Sequence, residues 1–213
     1  NIPVGWWRSV YDSQNAYANE CFVDELAQTL NVDPVQYRLQ LLKKSPRHTK
    51  VLQLSAKEAG WGKDIEKDHY QGVSCHASFG TYVAQVAEVS VDNEGVVHVH
   101  RVVCAVDCGQ PVSPTTIKAQ MEGSIVYGLS ATLNGEITIE NGAVKQSNFH
   151  EFEVLRMDQM PKIDVHIINS SEAPSGVGEP GLPPIAPAVT NAVFAATGIR
   201  VRKLPIKPEN LRS

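Results

Sequence analysis

"VDNEGVVHVHRVVCAVDCGQPVSPTTIKAQMEGSIVYGL", Val91 to Leu129, carries a hairpin and a helix in one run. Asn93–Gly95 is a turn between strand-like segments, and the second strand is predicted to continue to about Asp107. Ser113-Pro114 then opens a helix, with Gly123 and Gly128 expected at close-packed positions. Working back towards the N-terminus, Tyr70 to Val91 is rich in Val, Ser, Thr and aromatic residues and reads as further strand. Ser45-Pro46 and Asp33-Pro34 each start a helix, with Leu39 and Leu42 giving the Asp33-Pro34 helix an apolar side and Gly60 stopping the third. Ser13 is expected to cap a first helix, whose Phe22, Leu26 and Leu30 recur at fourfold spacing. Residues 1–12 read as a leading strand or loop.

Working forward, Asn-Gly turns at 134–135 and 141–142 predict strands over residues 129–155. Ile163, Val165 and Ile167 alternate within one more strand, Lys162 to Asn169. Pro184 to Thr197 is a helix, and Ile199 to Leu204 a last strand or an extended tail. The fold class is therefore α+β, mixed sheets with packed helices. The change of character near residues 62–70 divides a helical first subdomain, 1–65, from an α+β subdomain, 66–213.

The chain has 213 residues, 42% hydrophobic and 20% charged, enough for one large domain or two small ones with a sizeable core. A formal net charge of −4 argues against broad nucleic-acid binding. No apolar run reaches the roughly 18 residues of a membrane span. The chain starts at Asn1 without Met or a signal-like segment, as a processed chain or a fragment does. Cys21, Cys75, Cys104 and Cys108 form no C-x-x-C pair and read as small buried residues. His98 and His100 share a strand face, but spacing supplies no third ligand, so no residue is assigned to a metal. P-loop, G-x-S-x-G and dinucleotide-binding fingerprints are missing from the sequence.

Three stretches carry candidate chemistry. In "SGVGEPGLPP", Ser175 to Pro184, a lone acid, Glu179, sits on a turn stiffened by Pro180 and loosened by Gly176 and Gly178. Such a turn either holds a general base at a set point or places an acid near a helix N-terminus. "DCGQPVSP", Asp107 to Pro114, joins a strand to a helix and offers free N–H groups, or is an ordinary connecting loop. "VGWWRSV", Val4 to Val10, sets Arg8 beside two tryptophans, either presenting the guanidinium to a ligand or merely stacking it.

Taken together, "PVGWWRSVYDSQNAYANECFVDELAQTLNVDP", "AVDCGQPVSPTTIKAQMEGSIVYGLSATLNGEI" and "SGVGEPGLPPIAPAVTNAVFAATGIRVRKLP" resemble the C-terminal part of the molybdenum-binding large subunit of the xanthine oxidase and aldehyde oxidase family. The resemblance is nearest to the branch that holds the isoquinoline 1-oxidoreductase beta subunit and membrane-associated aldehyde dehydrogenases. It implies the fold found at the C-terminal end of molybdenum-hydroxylase large subunits. It implies that Glu179 is the active-site base in oxidative hydroxylation of an aldehyde or N-heteroaromatic, with water as oxygen donor. It places Trp7 and Arg8 at the family's Phe-Arg, Gln120 in a cofactor-facing segment, and Val177 and Gly178 close to the metal. Tyr127 stands where xanthine oxidases have Gln, and Val10 where they have a Phe that stacks on purine, so a purine substrate is disfavoured.

The cofactor implied is molybdopterin cytosine dinucleotide with molybdenum, and the electron exit a small [2Fe–2S] subunit. A cytochrome or membrane-associated acceptor would follow, in the periplasm rather than the cytoplasm. The family's "GQG" and "GGFG" loops have no counterpart here, so the remainder of the large subunit or a companion chain is expected to complete the pocket. The alternative function is a cofactor-free structural or assembly module of the same fold.

Overall fold

Strands form where Val and Ala alternate with little to interrupt pairing. In the computed structural model, which describes residues 2 and 4–212, these are β1 (Tyr70–Ser78), β2 (Thr81–Val91) and β3 (Val97–Asp107). Phe79 and Gly80, both at positive φ, turn β1 into β2, and the β2–β3 turn closes with Gly95 at φ 82°. The Asp92 side chain accepts from the N–H groups of Glu94 and Val96, fixing that turn where the sequence puts it. Asn141-Gly142 makes a second, small hairpin of β4 (Ile139–Glu140) and β5 (Ala143–Val144). Strand β6 (Lys162–Ile167) returns parallel to β3, giving a mixed sheet of order β1-β2-β3-β6.

A parallel neighbour needs a long crossover, and this one carries the helix α4 (Pro114–Leu133). The other helices are α1 (Asp12–Thr29), α2 (Pro34–Leu41), α3 (Pro46–Ala59) and α5 (Ile185–Thr197). Strand alternation divides the core. Val83, Ala87, Val102, Cys104 and Val106 pack with residues of α4 and α5, whereas Ala84, Val86, Val103 and Ala105 pack with Val51, Leu52 and Ala56 of α3. The α5 backbone lies directly on β1, for a Cβ at Gly72 would come within 2.2 Å of Ala192 N and 2.3 Å of Ala188 O. The four cysteines are buried and unpaired, as their apolar surroundings suggest.

Several expectations give way. The helix cap at α1 is Tyr11, and Ser13 lies inside the helix with its hydroxyl donating to Arg8 O. Phe22 and Leu30 are exposed; the buried face of α1 is Ala16, Glu20, Cys21, Asp24 and Ala27. Its charges are matched within the fold. Arg38 donates to Glu20 at 2.8 Å, Arg200 to Asp24 at 2.7 Å, and Cys75 N–H on the open edge of β1 donates to Glu20. Residues 129–133 stay helical because Asn134 ends α4 rather than turning a hairpin, and β4 and β5 are the strand that residues 129–155 contain. Gly128 is close-packed against Ile185, but Gly123 faces open space. Residues 199–204 form no strand and run as irregular chain with a bend at 203–205. The leading segment is loop and turn up to α1, with residues 1 and 3 outside those described.

Candidate active site

The Glu179 turn closes on itself through two backbone bonds, Leu182 N–H to Glu179 O and Ile185 N–H to Leu182 O. Pro180, Pro183 and Pro184 lack N–H groups, so the rest of the turn depends on donors from elsewhere. Five side chains supply them. Thr81 donates to Gly176 O, Arg8 Nε to Gly178 O, Ser9 Oγ to Glu179 O and Gln85 Nε2 to Gly181 O, each at 2.7 Å, and Ser74 donates to Pro184 O at 2.5 Å. Gln85 and Ser74 are fully buried polar groups on the sheet, placed where a carbonyl meets them.

A second brace holds the strand-to-helix loop against the chain that leads into the turn. Arg47 of α3 grips Asp107 with two nitrogens, Nη2 to Oδ1 at 2.7 Å and Nε to Oδ2 at 3.0 Å. Asp107 in turn accepts from Gly109 N–H. Cys108 O then accepts from Ser175 N–H, and Glu172 O from Gln110 N–H, both at 2.8 Å. A Cβ on Gly109 would meet Ala173 O at 2.1 Å, which explains the glycine.

The carboxylate itself is half-buried. Its Oε1 accepts the Ser9 N–H at 3.0 Å, and Oε2 receives no hydrogen bond from the described residues. Arg8 reaches past it, joining Gly178 O to Gln120 Oε1 through a 3.1 Å bond from Nη2. Burial pushes the Arg8 guanidinium below its ordinary value, while Tyr127 and Glu179 pull it back up. Gln120, Ser124 and Tyr127 recur at helical spacing on α4, so one helix face is turned to the Glu179 turn. The ring below Arg8 is Tyr127, 5.8 Å away, rather than a tryptophan; Trp7 packs obliquely on Tyr127 at 5.3 Å, and Trp6 is exposed.

Trp7, Arg8, Gln120, Tyr127, Gly178 and Glu179 therefore meet in one place, although they come from three distant segments. Val177 is half-buried and packs against the main core. A cavity of about 350 Å³ adjoins this wall, lined by Trp7, Tyr17, Gly128, Leu182 and Ile185 among others. A larger hollow of about 650 Å³ lies at the β2–β3 hairpin and contains none of the six residues. His98 pairs with Asp92, and His100 with Ser90 while stacking on His69.

Ser9, Ser74, Thr81 and Gln85 escape the sequence reading. The available signal is a polar residue at an inward position of an otherwise Val- and Ala-rich strand, as at Ser74 and Gln85.

The chain is 38% identical to the isoquinoline 1-oxidoreductase beta subunit of Brevundimonas diminuta, over 98% of its own length and 27% of that protein's. It is 33% identical to a nicotinate dehydrogenase subunit of Pseudomonas putida, over 100% of its length and 19% of that protein's. The crystal structure of the aldehyde oxidoreductase from Desulfovibrio desulfuricans shares the fold at a TM-score of 0.76 and 14% identity, over 97% of this chain and 41% of that one. The chain thus spans under a third of the curated relatives named here. Residues 15–161 match the molybdopterin cofactor-binding domain model, and the chain belongs to that family.

Proposed function

We propose that this chain is the base-bearing part of the catalytic subunit of a molybdenum hydroxylase, acting on an aldehyde or an N-heteroaromatic compound. The observation that carries the proposal is the state of Glu179, a carboxylate with one oxygen tethered by Ser9 and the other open, on a turn held at five carbonyls.

The residues present fit a metal–pterin cofactor. Added Cβ atoms at Gly176 and Gly178 would meet nothing within 4 Å, so backbone is offered to a close approach. The Ser124 hydroxyl, on the same face of α4 as Gln120 and Tyr127, is buried without a partner among the described residues. When bound, the molybdenum cofactor supplies the two-electron redox step. The protein's own work is position and proton transfer. Arg8 and Gln120 fix the backbone at Gly178, Trp7 and Tyr127 pack beside them, and Glu179 accepts a proton at Oε2.

The finer assignments belong to the same proposal. The cofactor is the cytosine dinucleotide form, and electrons leave through a small [2Fe–2S] subunit to a cytochrome or membrane-associated acceptor in the periplasm. The rest of the large subunit, or a companion chain, closes the pocket. Residues 1–65 deliver Arg8 and residues 66–213 deliver Glu179. What supports a closing partner is that most of the length of the relatives, themselves described as subunits, lies outside this chain.

Glu179→Gln in the assembled enzyme tests the central role. Molybdenum content is expected to hold while turnover falls at least about 100-fold, the usual worth of a general base. Turnover within a few-fold of the parent at full metal loading would refute it.

A further inference from the structure

We infer that Ser9 is the positioning residue for Glu179, a clamp that grips the side chain and the backbone of the base at once. The inference rests on the reading of Glu179 as the base.

Three observations carry it. Ser9 makes both contacts, its N–H to Glu179 Oε1 at 3.0 Å and its hydroxyl to Glu179 O at 2.7 Å. Ser9 is completely buried, so neither group has water as an alternative partner. Ser9 and Val10 both have positive φ, 70° and 50°, where L-residues other than glycine are rare and bulky or β-branched ones rarer. Two successive residues of this kind persist only where the surroundings fix them. What fixes them is a closed turn. Val10 N–H donates to Trp7 O, Asp12 N–H to Ser9 O, and the Ser13 hydroxyl to Arg8 O. That geometry turns the Ser9 N–H outward to the carboxylate instead of into α1.

The chemical consequence is a division of labour between the two carboxylate oxygens. The donor on Oε1 fixes the plane of the group, and Oε2 is left to take the proton. The charged neighbour in range of Glu179 is Arg8, on the same turn, and the titratable group beside Arg8 is Tyr127 on α4. Neither hydrogen-bonds the carboxylate among the described residues, so the Ser9 N–H is the contact that sets its orientation.

Two measurements test the clamp, one without the cofactor. In full-length protein carrying 15N-serine, the Ser9 amide resonance is expected to move with pH along the titration of Glu179. That movement is expected to vanish in Glu179→Gln. An amide that ignores Glu179 overturns the proposal even if Glu179→Gln is inactive. Conversely, an amide that follows Glu179 in an enzyme whose turnover survives Glu179→Gln sinks the base assignment and leaves the clamp standing.

The second measurement is the kcat-against-KM split in the loaded enzyme. Ser9→Ala and Ser9→Gly both delete the hydroxyl that anchors Glu179 O, and both keep the backbone N–H. In each, kcat is expected to fall about 10-fold with KM within about twofold of the parent, because only the placing of the base is lost. A parental kcat in both variants, with both folded and loaded, would overturn the proposal.

Discussion

A carboxylate acts as a base at a fixed point only if the protein holds it there, and at position 179 the holding is done by groups remote in sequence. Arg8 is 170 residues from Gly178, yet its Nε donates to that carbonyl at 2.7 Å while its Nη2 serves Gln120. Lysine has no planar fork with which to make both bonds. Arg8→Lys is therefore expected to lower turnover by about 100-fold, as a misplaced catalytic group does. Its unfolding free energy, read by chemical denaturation, is expected to change by less than about 1 kcal/mol, since the side chain is only half-buried. A full-activity Arg8→Lys enzyme would show that the guanidinium does not position the turn. At this scale the sequence displays Glu179, Arg8, Gln120 and Tyr127 through their local settings and their likeness to a family. It hides Ser9, Ser74, Thr81 and Gln85. A serine or glutamine in a strand looks the same whether it meets a carbonyl 96 residues away or solvent.

Among the elements, contact distance decides which glycines matter. Gly72 of β1 faces the α5 backbone at Ala188 and Ala192, and main chain cannot step aside as a side chain can. Gly72→Ala is expected to destabilise the protein by about 3 kcal/mol or more, at the upper end of overpacking costs. Gly123 of α4 is exposed, with no neighbour for a Cβ. Gly123→Ala is expected to stabilise the chain by about 0.5–1 kcal/mol, the helix-propensity difference. Denaturant unfolding of the two variants gives opposite signs if the helix positions are right. Helix starts at Asp33-Pro34, Ser45-Pro46 and Ser113-Pro114 are legible because proline acts locally. The buried face of α1 is not, because periodicity arguments assume that the buried side is apolar. Here Glu20 and Asp24 are buried because Arg38 and Arg200, from two other segments, neutralise them. The Asn134-Gly135 dipeptide misleads for a related reason, since the pair that turns a hairpin at 141–142 also ends a helix at 134.

Over the whole molecule, one ion pair links the helix α3 to the loop that braces the chain leading into the Glu179 turn. Burial alone would raise the Asp107 carboxyl, but the hydrogen bonds from Arg47 and Gly109 N–H hold it below its ordinary 3.8. The native state therefore binds this proton less readily than the unfolded chain. The stability it contributes is present above about pH 3.8 and is lost as pH falls through the depressed value. Asp107→Asn is expected to lower stability at neutral pH and to flatten the decline on the acid side of that window, both read from unfolding curves across pH. An unchanged acid limb would remove the pair from the account. The same loop leaves Val112 exposed, and Trp6, Phe149 and Met157 are likewise uncovered, in a chain that spans 27% of the isoquinoline oxidoreductase beta subunit's length. Apolar surface of this kind suits contact with the further chain that the proposed function requires.

The most direct measurement of the central claim is an anomalous difference map at the molybdenum edge, from crystals of the assembled protein. The expected result is a single metal peak on the face formed by Arg8, Gln120 and Gly178, on the open side of the Glu179 carboxylate. A molybdenum peak elsewhere, with the Glu179 side chain turned away from it, would contradict the account.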